Sequence, residues 1–246
     1  MKNKIFLLFL VVISACGTSY QVKEQQNQNR GIKGDSSLAS DETVIDLIKP
    51  YKLALDSLMN IHVIDASTDL KKAQPEGSLG NMVCDVFMEY AKNNKLQADF
   101  CVLNNGGLRI PVLYKGPIAV RTVFELLPFD NQVVLVKVRG QKCLELFNVL
   151  AQNNGAPVAG LNMDIENDLA TNIKIMGVPF DVAKDYWILT SDYLANGGDK
   201  AEALLNPLER IDTQKLMRDA LIEQLKIMNS RGQNLNAVKD GRISKK

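Results

Sequence analysis

Phe100-Cys101-Val102-Leu103-Asn104-Asn105-Gly106-Gly107-Leu108-Arg109 is the segment on which the fold reading turns. Its first four residues form an apolar run of strand length, and two asparagines and two glycines then stop it at a turn. Three further glycine-bearing or polar loops stand out. Glu76-Gly77-Ser78-Leu79-Gly80-Asn81 opens a helix, with Ser78 as its cap and Leu79, Met82, Val83, Val86, Phe87 and Tyr90 along one face. Leu127-Pro128-Phe129-Asp130-Asn131 precedes a β-branched run over 133–138. Asp192-Tyr193-Leu194-Ala195-Asn196-Gly197-Gly198-Asp199 follows a strand-like run over 186–190. Taken singly, each loop reads as an ordinary turn, because glycine pairs mostly serve positive φ.

Outward from these loops the spacing predicts a helix over 43–59, where Val44, Leu47, Ile48, Tyr51, Leu55 and Leu58 recur at threes and fours. Pro50 stands where it would kink or split that helix. A strand is expected over 61–64 and a helix over 78–94. A further helix over 142–152 turns Leu144, Phe147, Leu150 and Ala151 inward. Short strands follow over 164–165 and 171–176, and a last helix over 212–228 with Leu216, Leu221, Leu225 and Met228 on one side. Helices and strands alternate without a regular βαβ rhythm. The expected class is therefore α+β, a mixed β-sheet with flanking helices.

The start of the chain reads as an address. Lys2 and Lys4 precede an unbroken apolar run over 5–13. That run is shorter than the roughly 20 residues a membrane span needs, and it suits a secretory signal over 1–15. Ile13-Ser14-Ala15-Cys16 resembles a bacterial lipobox, with Cys16 as the lipidation site; an ordinary cleavage site beside an incidental cysteine is the alternative. Residues 16–41 are Gln-, Asn-, Ser-, Lys- and Gly-rich and read as a flexible tether, leaving 42–246 as the folded domain. The expected location is a lipid-anchored membrane face of the bacterial cell envelope. Cys84, Cys101 and Cys143 each sit in an apolar stretch and read as buried free thiols, although one pair could be bridged in an oxidising compartment.

Composition excludes whole classes. With 29 Lys+Arg against 28 Asp+Glu among 246 residues, the chain lacks the basic surplus of a nucleic-acid binder. An apolar fraction of 46% suits a packed core. His62 is the one histidine, which argues against a His-rich two-metal catalytic centre. No metal site and no catalytic residue is expected in this chain.

In their order and spacing, E-x-x-L-G-N, N-x-G-G-x-R, L-P-F-x-N and Y-x-x-x-G-G-D resemble the C-terminal, substrate-binding domain of the 5′-nucleotidase family, and Gly241-Arg242-Ile243 looks like its closing strand. The resemblance covers about residues 42 to 244. It implies that Phe129 and Tyr193 sandwich a nucleobase. Such aromatic stacks are worth roughly 1–3 kcal/mol per base and tolerate different bases. It further implies Asn131 as hydrogen-bonder to the base, Asp199 as acceptor for ribose hydroxyls, and Arg109 on ribose or phosphate oxygens. Asn104 would orient the glycine turn, and Gly160 would leave room beside the base. The sequence departs from the pattern at Lys71 and Lys72, where relatives carry arginines, at Asn105 and Asp130, where glycine is common, and at Tyr193, where phenylalanine is frequent. In that family a separate metallophosphatase domain holds two divalent metals. The resemblance therefore implies a nucleotide- or nucleoside-binding half of a split 5′-nucleotidase, with the metals on a partner metallophosphatase chain. A stand-alone nucleoside-binding lipoprotein and an interaction module with a degenerate pocket are the alternatives.

Overall fold

The computed structural model describes residues 41–246, so the expected signal, the tether and Cys16 lie outside the described residues. The chain divides into two units between Leu47 and Ile48. The described part of the first is the beginning of α1 (Glu42–Met59), which continues through Pro50 as one helix. A proline removes a single i→i−4 bond, and here the helix is not split by it. None of its residues is buried, so the apolar stripe that betrays the helix in the sequence is not a core stripe.

The second unit continues with β1 (His62–Ala66), β2 (Leu70–Lys71), α2 (Ser78–Asn93), β3 (Phe100–Val102), β4 (Val112–Leu113), β5 (Gly116–Ala119), α3 (Val120–Leu126), β6 (Gln132–Arg139) and α4 (Gly140–Gln152). It then adds β7 (Val158–Ala159), β8 (Leu161–Glu166), β9 (Leu169–Ile175), β10 (Val178–Pro179), β11 (Asp185–Ser191), α5 (Asp192–Ala195), β12 (Glu209–Leu216), α6 (Met217–Ser230) and β13 (Ile243–Lys245). A five-stranded sheet runs in the order β12-β6-β11-β3-β7 and a four-stranded one in the order β10-β9-β8-β13. Within the first, β3 and β11 are parallel and every other neighbour is antiparallel. The fold is α+β with mixed sheets, as the sequence predicts.

Period-two alternation builds the layers. Cys101 and Leu103, with Val133, Leu135 and Leu189, face the helices α2 and α6. Their neighbours Phe100, Val102, Val134, Val136, Val138 and Ile188 face α4 and the second sheet, meeting Cys143, Leu146, Phe147 and Leu150. Both faces of the central strands are covered, which is why these strands are almost continuously apolar. Phe147 lies 5.5 Å from the Phe100 ring and 5.3 Å from Phe180. Cys84, Cys101 and Cys143 are buried free thiols.

The helix expected over 212–228 starts later. Residues up to Leu216 belong to β12, which pairs with β6 from Glu209↔Lys137 to Leu216↔Gln132. This is an edge strand, largely exposed and rich in charge, as solvent-facing edges often are. Its polar sequence hid it from a search for apolar periodicity.

The E-x-x-L-G-N segment has a structural task. The Glu76 carboxylate, 5% exposed, accepts hydrogen bonds from Asn81 Nδ2 at 2.6 Å and from the backbone N–H of Asp240 and Gly241 at 2.9 and 3.1 Å. Arg242 spans Asp85 and Asp240 and donates to the Val158 carbonyl. The chain's end is thereby clasped to the start of α2, and β13 pairs in parallel with β8.

Candidate binding cleft

Sheet topology brings three of the singled-out loops to one edge. Parallel β3 and β11 end on the same side, with Ile188 opposite Phe100 and Leu189 opposite Cys101. Antiparallel β6 begins there, with Val133 opposite Ser191. The turn after β3, the loop before β6 and the α5 turn after β11 therefore meet beyond the carboxyl ends of two strands. Such ends are the common place for a crevice in open sheets.

The glycine turn is built around Asn104. Its carboxamide lies against the two glycines: a Cβ on Gly107 would stand 2.8 Å from Asn104 Oδ1, and one on Gly106 3.4 Å from Nδ2. Only glycine at 107 lets the side chain lie so close. Asn105, which departs from glycine, donates to the Gly155 carbonyl at 3.0 Å and pins the turn from behind. Lys72 Nζ donates to the Leu108 carbonyl at 2.9 Å. The ammonium is thus committed to supporting the turn. Arg109, exposed, donates to the Gly106 carbonyl, and its guanidinium carbon stands 5.7 Å from the centre of the Phe129 ring.

The loop carrying Phe129 hangs between α3 and β6. Phe129 is 49% exposed, unusual for a large aromatic. Arg218, in the first turn of α6, holds the loop. Its Nη1 donates to the carbonyls of Pro128 and Phe129 at 3.2 and 3.3 Å, its Nη2 pairs with Asp130, and its guanidinium stacks 4.8 Å from the Phe124 ring. Asp130 thus has a partner on α6. The Met217 N–H donates to the Asn131 carbonyl at 2.8 Å, while the Asn131 side chain makes no hydrogen bond among the described residues. Nothing in the spacing of the sequence singles out Arg218, which is eighty-eight residues from Asp130.

Tyr193 sits in α5, which is capped by Ser191 accepting from the Leu194 N–H. Its ring lies flat on Gly198: a Cβ there would fall 2.5 Å from Cε1 and Cζ. Gly197 turns the chain with φ +86, and Asp199 follows in the left-handed region with φ +50. Tyr193 Oη donates to Asp199 Oδ1 at 2.8 Å, and this bond holds the phenol above its ordinary pKa.

Asn104, Gly106, Gly107, Phe129, Asn131, Tyr193 and Asp199 line one cleft of about 370 Å³. Of the expected site residues, Asn104, Phe129, Asn131, Tyr193 and Asp199 are brought together, and Arg109 stands at the edge over Phe129. Gly160 is not among the lining residues. It occupies the corner between β7 and β8 with φ +73, where a Cβ would meet the Asp99 carbonyl at 2.7 Å. The positive φ and the crowded backbone both favour glycine at that position. A more apolar cleft of about 260 Å³ adjoins the first and shares Asn104, Gly106 and Asp199 with it.

Among the described residues, no group of three or more His, Cys, Asp and Glu is gathered closely enough to hold a metal ion. His62 is exposed on β1 with Asp65 3.4 Å away. The residues present do not fit a two-metal centre, so no metal-dependent step is assigned to them.

Comparison with known proteins agrees with this architecture. The family model described as 5′-nucleotidase, C-terminal domain, matches residues 57–206. A 5′-nucleotidase of Vibrio parahaemolyticus is 29% identical over 182 residues, covering 70% of this chain and 31% of that protein. Protein UshA of Escherichia coli is 24% identical over 181 residues, covering 72% and 33%. The crystal structure of a 5′-nucleotidase precursor from Thermus thermophilus superposes with a TM-score of 0.70 at 25% identity, over 83% of this chain and 43% of that one. The chain spans about a third of the length of the curated relatives it matches. With the family model matching residues 57–206, more than half of the chain, the chain belongs to the 5′-nucleotidase C-terminal domain family.

Proposed function

We propose that this domain binds a nucleoside or nucleotide in the cleft between Phe129 and Tyr193 and presents its phosphate to a separate metallophosphatase chain, as the substrate-binding half of a split 5′-nucleotidase. The observation that carries the reading is the gathering of two half-exposed rings, the Asn131 carboxamide and a carboxylate on one cleft, with Arg109 over Phe129 at its edge. Each has a task in this reading. Phe129 and Tyr193 stack on the base, and Asn131 offers donor and acceptor to its edge. Asp199 accepts from sugar hydroxyls, and Arg109 offers a planar fork to ribose or phosphate oxygens. The chain's residues bind and orient; the partner supplies two divalent metals that activate water and clamp the phosphate.

Lipid anchoring through Cys16 would hold this half at a membrane surface of the cell envelope. No helix among the described residues is long and apolar enough to cross a membrane. The experiment has two steps. Calorimetry of the purified protein with adenosine and AMP should give saturable binding that falls about fivefold to a hundredfold in Phe129→Ala. Mixing with a metallophosphatase that lacks this domain should then yield nucleotidase activity that neither chain has alone. Binding without any such complementation would favour a stand-alone capture lipoprotein. Neither binding nor complementation would refute both readings.

A further inference from the structure

Tyr193 does more in this structure than present a ring. Its hydroxyl donates at 2.8 Å to Oδ1 of Asp199, the carboxylate to which the nucleoside reading gives the sugar hydroxyls. The arrangement is held from both sides. The ring is seated on Gly198, with no room for a side chain beneath it. Asp199 adopts φ +50 and Lys200 φ +66, a backbone conformation non-glycine residues seldom adopt, and one that presents the carboxylate to the phenol. Phenol and carboxylate both lie on the cleft wall.

A carboxylate that captures a vicinal diol uses both oxygens, one per hydroxyl, and here one oxygen already accepts from a phenol. The tyrosine hydroxyl and a sugar hydroxyl are donors of the same kind; the phenol takes one of the two lone pairs of Oδ1 and crowds the approach to the other, so a sugar hydroxyl meets a competitor there. Resting on the nucleoside reading of the cleft, we propose that the Tyr193 hydroxyl is a built-in competitor for the sugar diol and sets the sugar selectivity of the site. With tyrosine in place, a ribonucleoside gains little over its deoxy analogue from the second hydroxyl, and the cleft accepts both. With phenylalanine in place, both carboxylate oxygens are open and the diol is rewarded. Tyr193 is thus a specificity-determining residue through its oxygen, separately from any stacking by its ring.

The test compares adenosine with 2′,3′-dideoxyadenosine by calorimetry, using the full chain, its Tyr193→Phe variant and its Asp199→Asn variant. Tyr193→Phe removes one exposed oxygen and keeps the ring, and thermal melting checks that the fold is unchanged. Adenosine should bind Tyr193→Phe about tenfold more tightly than it binds the parent, the scale of one hydrogen bond to a charged group. Dideoxyadenosine should bind the two equally. In Asp199→Asn the two nucleosides should differ by less than twofold. Adenosine binding unchanged or weakened in Tyr193→Phe, or an equal gain for both nucleosides, would overturn the proposal and leave the nucleoside reading standing. Absence of binding of either nucleoside to either the parent or Tyr193→Phe would overturn the nucleoside reading, and the competitor role with it.

Discussion

Gly198→Ala separates ring placement from folding. The new methyl would lie 2.5 Å from Cε1 and Cζ of Tyr193 and 2.7 Å from Cε2, well inside van der Waals contact, so the ring must leave its seat. Gly198 itself lies outside the left-handed region, so alanine there brings no backbone strain. The fold should feel little. Losing the exposed Tyr193–Asp199 bond costs little, because water replaces it at both ends, and alanine returns roughly 0.4–1 kcal/mol by restricting the unfolded chain. Binding should feel much more. One aromatic stack is worth roughly 1–3 kcal/mol, or about fivefold to a hundredfold in affinity. Gly197→Ala is the control. Its φ of +86 makes alanine strained, at roughly 1–2 kcal/mol, but its Cβ meets only Leu205 side-chain atoms at 3.4 Å and leaves the ring in place. Calorimetry with 2′,3′-dideoxyadenosine, which has no sugar diol to report on the freed Asp199 carboxylate, beside thermal melting should therefore show opposite patterns: Gly198→Ala weak in binding and near-native in stability, Gly197→Ala destabilised with affinity kept. Parent-like affinity in Gly198→Ala would refute the claim that the seated position of Tyr193 governs binding.

Three other perturbations have defined outcomes. Arg218→Ala removes the donor to Pro128 and Phe129 and the partner of Asp130; amide exchange over 127–131 should quicken and nucleoside affinity fall about tenfold. Glu76→Ala leaves two backbone N–H groups without their acceptor and the Asn81 amide with the Val238 carbonyl alone, and denaturant melts should show a loss of about 2–3 kcal/mol, with Glu76→Gln milder. Burial pushes the Cys143 thiol from its ordinary value of 9.0 up to about 12. The folded chain then holds a proton that the unfolded chain releases, so stability is fully present below pH 9 and declines from there toward pH 12. Cys143→Ala should flatten that decline in denaturant melts taken across the window.

The central strands and α2 and α4 were legible because they are apolar at a fixed period. Val133 to Val138 alternates between two buried faces and reads as nothing else. β12 escaped because an exposed, charged edge strand carries no apolar period, and the residues beyond it do run into a helix. The cleft was legible through short motifs, with Phe129, Asn131, Tyr193 and Asp199 each placed by a turn whose glycine or proline is visible in the sequence. Arg218 was not, because its partnership with Asp130 arises only when α6 packs beneath a loop far away in the chain. Gly160 shows the converse. The crowded backbone crossing at that glycine is a demand of its own, which a sequence does not distinguish from a ligand's.

The most direct test is an NMR titration of the protein with adenosine, following ring protons assigned to Phe129 and Tyr193. Both rings should shift together through ring currents, along one saturation curve, while Phe147 in the core stays still. Saturable binding that moves neither ring, or only one of them, would contradict the two-ring cleft as the nucleoside site.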